Sequence, residues 1–140
     1  MEVAKPDDTS PGGGRWLGID HVQVSIPPGG EGRARAFYVG RLGFTELPKP
    51  AALAARGGAW FCAGATEIHV GVEQDFRPAR KAHPALLVRG LHRLVTSAGL
   101  EVRWNTEIEG VCRCHLDDPF GNRIELVEAD RATPPSAGAS

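Results

Sequence analysis

The chain has 140 residues, enough for one compact unit with a real core. Its 41% hydrophobic and 24% charged content is that of an ordinary globular protein. A formal net charge of −1 offers no broad basic field for nucleic acid or an anionic membrane surface. No apolar run approaches the roughly 20 residues of a membrane span. The first residues lack the charged-then-apolar layout of a secretory signal, so the expected localisation is cytoplasmic.

Residues 1–14 are rich in Pro, Gly, Asp and Ser and read as a flexible tail. RATPPSAGAS, residues 131–140, reads the same way. A single folded domain is expected over residues 15–130.

IDHVQVSI, from Ile19, alternates cleanly: Val22, Val24 and Ile26 make an apolar face, and His21, Gln23 and Ser25 a polar one. That is a strand with one side on a core. PPGG breaks it, and EGRARAFYVGRLGF follows with Ala34, Phe37, Tyr38 and Leu42 at helical spacing. Gly43 is a helix stop. Short strands are expected at 44–47, 59–62 and 67–72.

The order then recurs. HPALLV opens on His83 as a strand, and LHRLVTSAGL is a short helix with Leu91, Leu94 and Val95 on one stripe. Strands are expected at 101–104, 111–116 and 122–128. Strand–helix–strand–strand–strand thus appears twice, over residues 16–73 and 83–130, joined by a polar linker at 74–82. That linker carries Arg77, Arg80 and Lys81.

The three cysteines are an odd number with no zinc-type spacing. Cys112 and Cys114 share one strand face and read as small buried hydrophobes rather than a redox pair. Cys62 also reads as core.

If the apolar face of each strand packs on a helix, the other face lines a groove. His21 then faces the groove opposite Val22 and Val24, and His69 does so opposite Ile68 and Val70. Glu125 lies opposite Ile124 and Leu126. His83 begins its strand, since the following Pro84 biases it to extended backbone and suits a first position. Each residue alone could be a surface or hydrogen-bonded structural group. Together, three histidines and one carboxylate at matching places of a repeat suit a divalent ion such as zinc, nickel, iron, cobalt or manganese. His115 reads as a structural residue or a substrate contact on the groove. Asp117 and Asp118 read as shaping the turn. Trp60, Phe61, Phe76 and Trp104 read mainly as core.

These residues resemble the vicinal oxygen chelate superfamily, which includes glyoxalase I, fosfomycin-resistance transferases, extradiol dioxygenases and bleomycin-binding proteins. IDHVQVSI resembles that family's first strand with its leading ligand, FYVGRLGF its helix end FYxxxLGF, and DDPFGNRIELVE its hairpin DPxGNxxEL, whose Glu is the last ligand. HPALLV resembles the strand opening the second module. The resemblance implies an α+β fold of two βαβββ modules, curving into a cup-like mixed sheet with helices on the outer face. Its metal positions fall on His21, His69, His83 and Glu125. His21, His83 and Glu125 resemble the two-His-one-Glu set of the fosfomycin and extradiol branches. Four-ligand glyoxalases carry Glu at the place of His69. The resemblance further implies a homodimer, with each site built either from one module of each chain or from both modules of one chain.

The expected function is metal-dependent chemistry on a small-molecule substrate chelated through two oxygens, foremost as a glyoxalase-like lyase or isomerase. Extradiol-type dioxygenation and fosfomycin-type thiol transfer are alternatives within the enzyme class. A metal-free small-molecule or antibiotic-binding protein is the alternative outside it, although such binders lose the ligand residues. Glu125 is the expected ligand and proton acceptor. Arg77, Arg80 and Lys81 lie beside His83 in sequence and are candidates to bind a substrate carboxylate or phosphate.

Overall fold

A computed structural model describes residues 4–6 and 10–129. The expected tail at 131–140 lies outside the described residues, as do residues 1–3 and 7–9 of the other.

The first sheet holds β1 (Val22–Ile26), β2 (Thr45–Leu47), β3 (Ala59–Ala63) and β4 (Thr66–Val72), with α1 (Glu31–Tyr38) and the one-turn α2 (Ala51–Ala54) between them. The second holds β5 (Ala85–Val88), β6 (Arg103–Asn105), β7 (Arg113–Asp117) and β8 (Arg123–Glu128), with α3 (Leu91–Ala98) after β5. The spatial orders are β1-β4-β3-β2 and β5-β8-β7-β6. In each sheet the first strand pairs parallel with the last and the other pairs are antiparallel. The α+β fold implied by the resemblance is therefore present as two four-stranded mixed sheets.

Alternation explains which face is dry. Ile26, Phe61 and Ile68 from the first sheet, and Cys114, Leu116, Ile124 and Leu126 from the second, are buried with Phe37 and Tyr38 of α1 and Leu91 of α3. Each large side chain removed from water there contributes about 2–3 kcal/mol. The intervening residues on the strands stand on the opposite faces and carry the polar groups.

Two polar ties fix the sheets to each other. The Tyr38 hydroxyl of α1 donates to Asp118 Oδ2 at 3.0 Å, in the turn between β7 and β8. Asp118 also accepts from the backbone N–H groups of Phe120 and Asn122 and from Asn122 Nδ2, each at 2.9 Å. Its side chain thus shapes the turn, and Gly121 closes it at φ 92°. Asn122 reaches on to the Ser25 carbonyl of β1 at 2.9 Å and accepts the Ala79 N–H at 2.9 Å. That second bond anchors the linker ahead of His83.

Some local expectations shift. Strand pairing begins at Ala85, so His83 stands two residues ahead of β5 rather than as its first residue. α1 ends at Tyr38, and Leu42 packs on the core from a turn. α2 carries no strong signal in AALA. Cys62 and Cys112 are half-buried and only Cys114 is fully buried; all three are free thiols. Burial pushes the Cys114 thiol up to about 11. Trp104 is exposed and stacks on His92, with ring centroids 4.4 Å apart. Among the described residues no helix is long and apolar enough to cross a membrane.

Candidate metal centre

Glu125 lies mid-β8, directly across from His115 of β7 in antiparallel register and from Ala85 in parallel register. Strand alternation puts Arg123 and Glu125 on one face of β8, and Arg113, His115 and Asp117 on the matching face of β7. His83 arrives on the same face because Glu125 N–H donates to the Pro84 carbonyl at 3.0 Å, holding the segment along β8. His83 Nε2 lies 3.0 Å from Glu125 Oε1, and His115 Nε2 lies 3.5 Å from the same oxygen.

Donor atoms of His83, His115 and Glu125 all fall within 4.8 Å of one another, and this is the one such group of three found among the described residues. Donors bound to one ion at about 2.1 Å lie roughly 3–3.5 Å apart, so the two short separations already suit a shared cation.

The hydrogen bonds sharpen the fit. His83 Nδ1 lies 2.7 Å from the Lys81 carbonyl, which can only accept, so Nδ1 carries a proton. Nε2 then meets the Glu125 oxygen as a donor in the imidazolium and as a lone pair in the neutral ring. Two acceptors at 3.0 Å repel unless a proton or a cation lies between them. A divalent ion satisfies both at once. Braces of this kind on the second imidazole nitrogen orient metal-binding histidines.

Arg113, which the sequence reading passed over, completes the group. Its Nη1 donates to Glu125 Oε2 at 3.1 Å and its Nη2 to Asn105 Oδ1 at 3.0 Å. Burial pushes the Glu125 carboxyl up, but its bonds to His83 and Arg113 and the Arg113 charge outweigh this and leave it below the ordinary value. His115 is also lowered, first by burial and then by the charges of His83, Arg123 and Arg113, against an opposing pull from Glu125. A lowered imidazole stays neutral, and so able to bind a cation, to lower pH.

His21 and His69 come together elsewhere, on the first sheet. Their rings stack at 3.9 Å, and His69 stacks in turn on Trp60 at 4.2 Å. His21 Nδ1 lies 2.8 Å from Asp20 Oδ2 and His69 Nε2 lies 2.7 Å from Glu67 Oε2, so each ring is braced at one nitrogen. The four expected ligands therefore form two pairs in one chain, with His115 joining the second pair.

The expected anion contacts also divide. Arg77 lines a cavity of about 410 Å³ with Gln23, Ser25, His83 and Asn122. Arg80 lines a different one, also about 410 Å³, with Arg103, Asp117 and Arg123. Lys81 is exposed and offers its carbonyl to His83. Arg103, Arg113 and Arg123 were legible as same-face neighbours of His115 and Glu125 by alternation, but only the register shows that they converge.

Two mixed four-stranded sheets with this strand order place the chain in the vicinal oxygen chelate superfamily, as comparison with solved structures shows. A glyoxalase family protein from Bacillus anthracis is 47% identical, with a TM-score of 0.78 over 82% of this chain and 97% of its own. The chain belongs to the glyoxalase family. Lactoylglutathione lyase from Agrobacterium tumefaciens shares the fold at 13% identity and a TM-score of 0.57, over 77% of this chain and 92% of its own. The fosfomycin resistance protein FosX from Listeria monocytogenes, in a mutant form complexed with Mn(II) and 1S,2S-dihydroxypropylphosphonic acid, does so at 13% and 0.59, over 79% and 88%. No family model matches the chain, and no curated protein does.

Proposed function

We propose that the protein is a metal-dependent enzyme of the glyoxalase family that acts on a small molecule through two adjacent oxygens, with glyoxalase-like lyase or isomerase chemistry. The convergence of donor atoms of His83, His115 and Glu125 within 4.8 Å of one another carries this reading. A divalent ion bound there supplies Lewis acidity to substrate oxygens and stabilises negative charge developing on them.

The chain's own residues do the rest. His83 is held by Lys81 so that Nε2 faces the centre. Glu125 presents Oε1 to the centre while Arg113 holds Oε2. Because Arg113 keeps the carboxylate ionised, Glu125 can also accept a substrate proton if its inner contact loosens. His115 closes the third side from β7.

We also infer a homodimer in which the His21–His69 pair of one copy faces the His83–Glu125 pair of another. Trp16, Leu17 and Ile19 before β1, and Leu87 on β5, are 77%, 90%, 80% and 66% exposed. Apolar groups of that size in the segments flanking the two histidine pairs suit cover by a second copy. In that arrangement His21, His69 and His115 would each be able to join His83 and Glu125 in holding an ion.

The test is turnover of thiol hemithioacetals of 2-oxoaldehydes by protein reconstituted separately with nickel, zinc, cobalt, manganese and iron. Metal-dependent turnover that vanishes in Glu125→Ala supports the reading. Oxygen uptake with catechols, or thiol addition to an epoxide, would move the chemistry to another branch. Absence of any metal-dependent turnover, with tight small-molecule binding by metal-free protein, would replace the enzyme by a binding module.

A further inference from the structure

The open face of the second sheet holds more positive charge than the donor cluster uses. Arg103 of β6 lies in register with His115, and Arg123 of β8 in register with Asp117. Both therefore stand on the face that carries His115 and Glu125. Arg80 joins them because the Arg123 N–H donates to the Ala79 carbonyl at 2.9 Å, seating the linker beside β8. The three arginines line one cavity of about 410 Å³ together with Pro78 and Phe120.

The charges do not cancel. The one carboxylate lining the cavity, Asp117, is held by Arg103 at 3.0 Å. Arg80 and Arg123 are left in excess, and the Nε of Arg123 is buried with no hydrogen-bond partner. The Nε of Arg113 is buried and unpartnered in the same way, so it is the surplus of arginine over Asp117 around the cavity that points to an anion. Guanidinium groups gathered on one pocket suit the several oxygens of a compact oxyanion. Same-face neighbours on a strand are about 7 Å apart, so Arg123 stands about that far from Glu125. A small molecule could span the two places.

We propose that Arg80, Arg103 and Arg123 form a binding site for a small dianion, phosphoryl or dicarboxylate, that seats the charged end of the substrate beside His115 and Glu125. The substrate part of this rests on the donor cluster being the reacting centre; the anion site itself does not. The proposed substrate thus carries a doubly charged group about one strand-residue pair away from its reacting oxygens.

The experiment is a titration of the full, metal-free chain at low ionic strength with inorganic phosphate, malonate and acetate, followed by amide NMR shifts. Phosphate or malonate should shift the amides of residues 117–123, and the tighter of the two names the group. Acetate should bind about tenfold more weakly, as one charge is lost. Arg103→Met and Arg123→Met should each weaken the dianion about tenfold or more, with Arg56→Met unchanged. No shift at 117–123 in the wild type, acetate binding as tight as the dianions, or undiminished affinity in both variants would overturn the site. If a variant fails to fold, the wild-type shift map still decides. Dianion binding in a chain that takes up no divalent ion would keep the pocket and sink the metal reading alone; metal uptake without dianion binding would do the reverse.

Discussion

Arg113 holds Oε2 of Glu125 at 3.1 Å while His83 meets Oε1 at 3.0 Å, so the carboxylate is divided between a structural cation and the candidate centre. The guanidinium is itself mostly buried and shared with Asn105. Its charge favours ionised Glu125, and its geometry fixes which oxygen points inward. Arg113→Met should therefore weaken divalent-ion binding about 10- to 100-fold without removing a ligand. Arg113→Lys, which keeps the charge but loses the fork, should fall between the two. Calorimetric titration of cobalt, with its visible spectrum as a check on ligand geometry, measures both.

Asp118 accepts four hydrogen bonds, one of them from α1. Tyr38→Phe removes one donor from a buried network and should cost about 1–3 kcal/mol in urea unfolding. Asp118→Ala removes the acceptor of the Tyr38 hydroxyl, of one Asn122 amide hydrogen and of two backbone N–H groups, and should cost more. A Tyr38→Phe protein as stable as the wild type would show that this tie contributes nothing.

Gly58 sits at φ +81°, where a Cβ would meet the Val70 carbonyl oxygen at 2.3 Å. Backbone blocks it, so no side-chain rotation relieves the clash. Gly58→Ala should cost about 2–4 kcal/mol through strain and sheet distortion. Thermal denaturation of the single variant is sufficient to test it.

Glu31, in the first turn of α1, accepts the Gly58 N–H at 2.8 Å. That bond is the main reason its carboxyl lies below the ordinary value of 4.5. A carboxyl lowered by folding stabilises the folded state above its unfolded value, and the contribution is lost as pH falls through the folded value. Glu31→Gln should therefore be less stable than the wild type by about 0.5–1 kcal/mol at pH 7. The gap should narrow as pH falls below 4.5 through the lowered folded value. A gap that stays constant from pH 7 to pH 3 contradicts the ionic part.

Much of this fold is legible because alternation is a local signal. VQVSI, TEIHVGV and RIELVE each declare a dry face and a wet one, and the repeated order gives the two sheets. What joins the strands is not local. Nothing in VCRCHL says that His115 will lie across from Glu125, since register depends on the whole hairpin. Arg113 follows from the same register and was missed for the same reason. Glu128 is a further case: its carboxylate accepts the Leu91 N–H at 2.9 Å and the Gly90 N–H at 3.2 Å, capping α3 from another strand. Helix-start rules look for that oxygen next to the helix, where Gly90 offers none. The histidines were recognisable as wet-face residues, but their division into His21 with His69 and His83 with Glu125 is a property of two separate sheets.

The central claim is that Glu125 and His83 hold one divalent ion. The direct measurement is metal content and affinity of untagged protein by elemental analysis and competition titration, for wild type, Glu125→Ala, His83→Ala, His115→Ala and His21→Ala. One ion per chain is expected in the wild type, with affinity reduced at least about 100-fold in Glu125→Ala and His83→Ala. The last two variants decide whether the third ligand is His115 or a second copy's His21. A wild-type chain that takes up no divalent ion, or a Glu125→Ala chain that binds it undiminished, would contradict the claim.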